Sequence, residues 1–149
     1  MREAILRNQD ADCILYLGDG IRDAEELRHA FAIPWVMVRG NCDFLADAYR
    51  EEEAVMFENV HILLTHGHRY GVKGGLGALI SHGRVHGYDI VLYGHTHMPM
   101  ETYLDDGHPI YLFNPGSIGK RDAGDYSFGL ITIKDGQILL SHGKVSCLR

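Results

Sequence analysis

The chain has 149 residues, of which 46% are hydrophobic and 23% charged, and these values are ordinary for one globular domain covering residues 1–149. Its formal net charge of -6 disfavours a broad nucleic-acid surface or an acidic membrane as a partner. Cys13, Cys42 and Cys147 are too scattered for a disulfide framework, and no apolar run is long enough to span a bilayer, so we expect a cytoplasmic protein.

Helices and strands are predicted to alternate in the first part of the chain. The predicted elements are a helix over 1–9, a strand over 13–17, a helix over 24–32, a strand over 35–39, paired strands over 54–58 and 60–65, a helix over 76–86 and a buried strand over 90–93. Asp23 stands directly before the second helix and is expected to cap it.

The last third of the chain is predicted to be antiparallel strand. A hairpin joins 99–104 to 110–113, and a second hairpin joins 126–134 to 137–145 through the turn residues Asp135-Gly136. Alternating elements followed by hairpins predict a mixed α/β fold, with two sheets face to face and helices outside.

A glycine and two histidines follow the buried strand over 90–93. Gly94 allows a tight turn where the strand ends, and His95 and His97 stand at alternate positions. Alternation places both imidazoles on the same side of an extended chain, where they are good ligands for a divalent metal. Two solvated loop histidines are the alternative for this pair taken alone.

Three other predicted strands end in a side chain that can bind a metal. Asp19 follows the strand over 13–17, Asn41 follows the strand over 35–39, and His66 follows the strand over 60–65. In an open α/β sheet, ligands bind outside the carboxyl ends of the strands. The sequence therefore predicts that these side chains and the histidine pair converge on one metal site.

Five motifs in order resemble the calcineurin-like metallophosphoesterase superfamily, and in particular its small bacterial and archaeal phosphodiesterases. They are Gly18-Asp19, Gly40-Asn41-Cys42-Asp43, Thr65-His66-Gly67-His68, Gly94-His95-Thr96-His97 and Asn114-Pro115-Gly116-Ser117. The resemblance implies a four-layer α/β/β/α sandwich with mixed sheets and a two-metal site at the strand ends. It also implies a metal-dependent phosphodiesterase, in which a hydroxide bridging both metals attacks the phosphorus of a small or aryl phosphodiester in line.

The resemblance assigns roles to individual residues. Asp19 would bridge the two metals, Asn41, His66 and His95 would complete one site, and His97 would belong to the other. Manganese is the first expectation for both ions, with nickel, iron or zinc as alternatives.

Further residues are candidates for the catalytic machinery or for substrate contacts. Asp19 and Asn41 count as catalytic, and so does Asp43, which would orient a ligand or the attacking water or would simply cap a loop. His68 would touch the substrate phosphate beside Asn41 or would be a plain loop histidine. Candidate phosphate contacts with ordinary surface charge as the alternative are Arg69, Lys73 and Arg121.

The sequence also departs from the family pattern. No Asp-x-His precedes Gly18-Asp19, so the family's first strand is missing and the domain is expected to be N-terminally incomplete, with partial metal occupancy and feeble activity. Cys42 stands where many relatives have a histidine that assists the leaving group, which favours good leaving groups such as aryl esters.

The alternative function is a non-catalytic scaffold of the same fold, with a degraded metal site, that binds protein partners. The five ligand-type residues argue against this reading. Small family members are often oligomeric, which leaves a homo-oligomer as a further expectation.

Overall fold

The computed structural model describes residues 1–119 and 126–146. The helices of this part are α1 (Arg2–Arg7), α2 (Ile21–Ala30) and α3 (Gly77–Val85), with a 3-10 helix at His68–Tyr70. The strands are β1 (Ile14–Tyr16), β2 (Trp35–Met37), β3 (Glu52–Phe57), β4 (Val60–Thr65), β5 (Ile90–Tyr93), β6 (Met100–Leu104), β7 (Ile110–Asn114), β8 (Tyr126–Lys134) and β9 (Gln137–Val145). Every predicted helix and strand is present, with shifted ends in several cases.

The largest sheet has five strands in the order β3-β4-β5-β7-β6. Strands β4, β5 and β7 run parallel, whereas β3 and β6 pair antiparallel at the two edges. All four residues of β5 are buried, because layers of the fold cover both faces of this central strand.

A second layer of strands packs on one face of the five-stranded sheet. It consists of the parallel pair β1–β2 and the antiparallel pair β8–β9. Leu17, Val38 and Leu140 from this layer bury their side chains in one cluster with Ile62 and Leu92 of the large sheet. The second layer was predicted as one sheet, but within 1–119 and 126–146 its hydrogen bonds divide it into these two pairs.

Helices cover the outer faces of both strand layers. Ile21 and Ala24 of α2 pack on Met37 of β2, and Leu79 of α3 packs on Leu63 of the large sheet. The layers therefore follow the order α/β/β/α, and the predicted fold class is confirmed.

The start of α2 differs from the prediction. The helix begins at Ile21 with Gly20 at the N-cap, and Asp23 lies in its first turn without capping it. The cap comes instead from Asp43, whose Oδ1 accepts hydrogen bonds from the backbone N–H groups of Gly20 and Ile21 at 2.8 and 3.0 Å. A cap supplied from 22 residues further along the chain leaves no local signal at the helix start.

None of the helices in the described part of the chain has the length and apolar character needed to cross a membrane.

Candidate metal centre

Three of the predicted ligands meet at the carboxyl ends of three strands. Asp19 follows β1, His66 follows β4 and His95 follows β5, and their ligand atoms all lie within 4.8 Å of one another. His66 Nε2 lies 3.3 Å from Asp19 Oδ2 and 3.2 Å from His95 Nδ1. The predicted convergence of separate strand ends is therefore present for this trio.

A hydrogen bond to Leu17, the residue after β1, determines which ring nitrogen of His66 carries the proton. Nδ1 lies 2.7 Å from the carbonyl oxygen of Leu17, which can only accept, so Nδ1–H is the donor. The lone pair of Nε2 then faces Asp19 and His95, which is the tautomer that a metal ligand needs. Burial lowers the pKa of His66, against the opposing effects of the Leu17 carbonyl and the Asp19 carboxylate, so the ring is neutral at pH 7.

His95 is held neutral in the same way. Burial lowers the pKa of its imidazole, and the positive charge of Lys73 and the neighbouring His66 lower it further. A carboxylate with two neutral imidazoles is a donor set suited to manganese, iron, nickel or zinc. The residues of the trio therefore fit a divalent metal.

Three predicted ligands adopt left-handed backbone conformations. The φ angles are 60° at Asp19, 66° at His95 and 59° at His97, in a region that costs a non-glycine residue roughly 1–2 kcal/mol. Such strain concentrates at functional sites, where the surrounding fold enforces it.

The two histidines after β5 do not alternate as on an extended strand. Because φ is positive at both His95 and His97, the prediction that the two histidines alternate on an extended chain is wrong. His95 joins the trio, whereas His97 is exposed and belongs to no group of three His, Cys, Asp or Glu ligand atoms within residues 1–119 and 126–146.

Asp43 is a structural clamp beside the trio. Its two carboxylate oxygens accept four backbone N–H groups, from Asp19 and Gly40 at Oδ2 and from Gly20 and Ile21 at Oδ1, at 2.8 to 3.0 Å. Through these contacts Asp43 caps the loop, which is one of the two roles considered for this residue from the sequence. Burial alone would raise the pKa of the carboxyl, but the four hydrogen bonds outweigh it and hold the pKa below its ordinary value of 3.8.

The Asp19 carboxylate is oriented by the loop after β2. Its Oδ1 accepts the backbone N–H of Cys42 at 2.8 Å, which turns Oδ2 towards His66. The loop approaches so closely that a Cβ on Gly40 would lie 2.1 Å from Asp19 Oδ1. Only glycine at position 40 therefore allows this carboxylate position.

His68 lies next to the trio, and Asn41 lines the same cleft as His68. Both line a cleft of about 310 Å³, and the His68 ring centroid lies 5.5 Å from that of His66 and 6.2 Å from that of His95. Asn41 is exposed, and its amide nitrogen lies 3.4 Å from Cys42 Sγ. The position of His68 is one where a group bound to the trio could meet its side chain.

The basic candidates differ in their surroundings. Lys73 is near enough to His95 to lower the pKa of that imidazole, whereas Arg69 is paired with Glu51 at 2.6 Å. Arg121 lies outside the described residues.

Asn114 is a positioning residue that the sequence reasoning did not assign. It is fully buried at the end of β7, and its amide nitrogen donates to the Gly94 carbonyl at 3.1 Å and to Thr96 Oγ1 at 3.0 Å. Its Oδ1 accepts the backbone N–H of Gly116 at 2.9 Å. The side chain thus fixes the backbone on both sides of His95. A polar residue ending an apolar strand directly before a proline was the available signal.

Comparison with known sequences identifies the family. The model of the calcineurin-like phosphoesterase superfamily domain matches residues 1–136. The probable metallophosphoesterase YsnB of Bacillus subtilis is 30% identical over 127 residues, which cover 85% of this chain and 71% of YsnB. The phosphodiesterase YfcE of Escherichia coli K12 is 33% identical over 104 residues, which cover 64% of this chain and 51% of YfcE. The chain thus matches only about half the length of YfcE.

Solved structures agree with this assignment. A predicted phosphoesterase from Streptococcus pneumoniae superposes with a TM-score of 0.76 at 25% identity, over 95% of this chain and 79% of the other. Vps29 of Entamoeba histolytica in complex with Zn²⁺ gives a TM-score of 0.72 at 23% identity, over 97% and 89% of the two chains, and shares the fold. With a family model spanning most of its length and a carboxylate–imidazole trio at its strand ends, the chain belongs to the calcineurin-like phosphoesterase superfamily, a group of metal-dependent phosphoester hydrolases.

Proposed function

We propose that this protein is a metal-dependent phosphodiesterase that hydrolyses a small or aryl phosphodiester. The observation that carries the proposal is the convergence of Asp19, His66 and His95 from three strand ends. The relative YfcE is named a phosphodiesterase, which supports a diester as the substrate class.

The proposed cofactors are two divalent ions, with manganese as the first expectation. Asp19, His66 and His95 would hold one ion together with Asn41, and Asp19 and His97 would contribute to the other. When bound, such ions lower the pKa of a coordinated water and neutralise charge on phosphoryl oxygens.

The chain's own groups prepare the site for this chemistry. The Leu17 carbonyl keeps the His66 lone pair aimed at the centre, and the Cys42 N–H fixes the Asp19 carboxylate. The positive charge of Lys73 beside His95 favours an anionic phosphoryl group. A thiol at Cys42 is a poor proton donor to a leaving oxygen, so the substrate class should leave well without protonation, as aryl esters do.

The test is hydrolysis of bis(p-nitrophenyl) phosphate by the purified chain, with and without added Mn²⁺. We expect slow turnover that requires the metal, is abolished by a chelator and falls by at least about 100-fold in His66→Ala. His29→Ala is the matched control, because His29 is a largely exposed histidine near the end of α2 and is not a member of the trio. A chain that carries metal and yields no p-nitrophenol above the buffer rate would refute the proposal.

A non-catalytic scaffold is the second candidate. It is favoured by the position of His97 outside the trio and by the shared fold with Vps29. Because Vps29 is also found in complex with Zn²⁺, bound metal alone does not separate the two functions, and turnover of the diester by the metal-loaded chain does. A chain without bound metal supports the scaffold.

A further inference from the structure

The cleft beside the trio has the size of a small-molecule site. Its volume of about 310 Å³ lies at the lower end of the roughly 300–1,000 Å³ that is typical of ligand pockets. Asn41 and His68 line it next to the candidate metal centre, and Phe44 lines it further along the loop after β2. The His68 ring, 5.5 Å from that of His66, links the cleft to the trio, so an ester group of a phosphoryl group held by the trio could extend into it.

Phe44 offers an apolar surface within the cleft. The residue is 83% exposed, although large aromatic side chains are usually well covered in a folded protein. The next residue, Leu45, is 100% exposed but does not line the cleft. Phe44 and Leu45 are thus both apolar and exposed, but only Phe44 lines the cleft.

The charged side chains of the cleft are already paired. Arg39 donates to Asp47 at 2.6 Å, and its second terminal nitrogen lies 3.9 Å from Glu51. Glu51 also lies 3.9 Å from His68. With Arg39 facing two carboxylates, the cleft does not favour a second anionic group, and an uncharged group is the better occupant.

We propose that Phe44 binds an aromatic ester group of the substrate, so that the site selects aryl phosphodiesters over alkyl ones. This inference rests on the proposed phosphodiesterase function and adds the residue that determines specificity. The phosphoryl group lies at the trio beside Asn41, and the aryl ring packs against the ring of Phe44. An aromatic pair of this kind changes an affinity by a factor of about 2 to 12.

The experiment compares phenylphosphonate and methylphosphonate binding to the full chain loaded with Mn²⁺, by titration calorimetry. Both probes carry the same anionic head and differ only in the ring. We expect Phe44→Ala to weaken phenylphosphonate binding by about 5- to 10-fold and methylphosphonate binding by less than about 2-fold. Phe44→Trp should keep the preference for the phenyl compound, and Leu45→Ala should change neither affinity.

Three results would overturn the inference: equal weakening of both probes by Phe44→Ala, unchanged phenylphosphonate binding in that variant, and failure of phenylphosphonate to bind the wild type. Turnover of bis(p-nitrophenyl) phosphate is measured separately. Phe44-dependent binding without turnover supports the aryl site and refutes the phosphodiesterase. Turnover without Phe44-dependent binding supports the phosphodiesterase and refutes the aryl site.

Discussion

His66 donates its Nδ1 proton to the carbonyl oxygen of Leu17 at 2.7 Å, and this contact joins the two strand layers at the metal centre. Leu17 follows β1 in one layer, and His66 follows β4 in the other. The imidazole is therefore fixed in orientation and tautomer before any ligand arrives. A preorganised ligand of this kind binds a metal without losing side-chain freedom.

The neutral state of His66 and His95 predicts how metal binding depends on pH. Because the pKa of each imidazole lies below its ordinary value of 6.5, protons compete weakly with a metal at pH 6.5. We expect the affinity for Mn²⁺, measured by calorimetry, to fall less between pH 7.5 and pH 6.5 than it would with two unperturbed histidines, and to fall more steeply at lower pH. Two unperturbed histidines would lower the affinity by about 3-fold over the same interval, and that result would contradict the structure.

Asp43 should stabilise the fold in a way that depends on pH. Asp43→Asn removes the acceptor for two of four backbone N–H groups, so we expect the free energy of unfolding at pH 7 to fall by on the order of 2 kcal/mol in urea titrations. Since the folded pKa of Asp43 lies below 3.8, its contribution is complete above pH 3.8 and is lost as the pH falls further. The gap between wild type and variant should therefore narrow towards pH 3.

The control for this experiment is Asp10→Asn, because Asp10 is exposed in the α1–β1 loop. We expect it to leave the unfolding free energy within about 0.5 kcal/mol of wild type. A pH-independent gap for Asp43→Asn would show that the carboxylate charge is not what holds the loop.

Gly40→Ala should damage the metal centre by steric contact. The added Cβ would lie 2.1 Å from Asp19 Oδ1 and 2.7 Å from the Asp19 backbone nitrogen, so the loop after β2 must move away. We expect the unfolding free energy to fall by about 1–3 kcal/mol and Mn²⁺ affinity to fall by at least about 10-fold.

Gly77→Ala is the matched substitution, because a Cβ on Gly77 meets no heavy atom within 4 Å. Gly77 is the first residue of α3. Its replacement by alanine should leave Mn²⁺ affinity unchanged and raise the free energy of unfolding by up to about 1 kcal/mol. Equal effects of the two alanines on metal binding would mean that the approach of position 40 to Asp19 is unimportant.

Asn114→Asp should loosen the backbone around His95. The carboxylate still accepts from the Gly116 N–H but no longer donates to the Gly94 carbonyl and Thr96 Oγ1. The Gly94 carbonyl keeps the Thr96 N–H as a donor, but a buried carboxylate oxygen now faces this carbonyl oxygen with no proton between them. We therefore expect a loss of about 2–4 kcal/mol in thermal or urea unfolding and weaker Mn²⁺ binding. Asn59→Asp, at an exposed turn, introduces the same charge and should leave both quantities unchanged. Wild-type metal affinity in Asn114→Asp would remove Asn114 from the positioning machinery.

The strands that carry the site could be predicted from local pattern. The apolar run of β5 is continuous because both faces of the strand are buried, and β4 is buried in the same way from Ile62 onward. The predicted bounds of 60–65 and 90–93 match the structure. The Asp135-Gly136 turn likewise marks the β8–β9 hairpin in register. The positions of His66 and His95 could be predicted because β4 and β5 are parallel neighbours that present their carboxyl ends at a common edge. Asp19 joins them from β1, which lies in the other strand layer.

Two predictions made from a short segment alone were wrong, namely the N-cap of α2 and the extended backbone of residues 95–97. The cap of α2 comes from Asp43 across a loop, and helix periodicity around Asp23 contains no information about it. The segment from His95 to His97 departs from the predicted extended conformation because both histidines have positive φ, a conformation that the fold imposes and local propensity disfavours.

The most direct test is a calorimetric titration of Mn²⁺ into the purified chain and into Asp19→Asn, with His29→Ala as control. Asp19 Oδ2 lies 3.3 Å from His66 Nε2, so neutralising this carboxylate removes the only anionic group of the trio. We predict saturable binding to the wild type and to His29→Ala and at least about 100-fold weaker binding to Asp19→Asn. Equal Mn²⁺ affinity in all three proteins, or no binding to the wild type, would contradict the assignment of a metal centre to these strand ends.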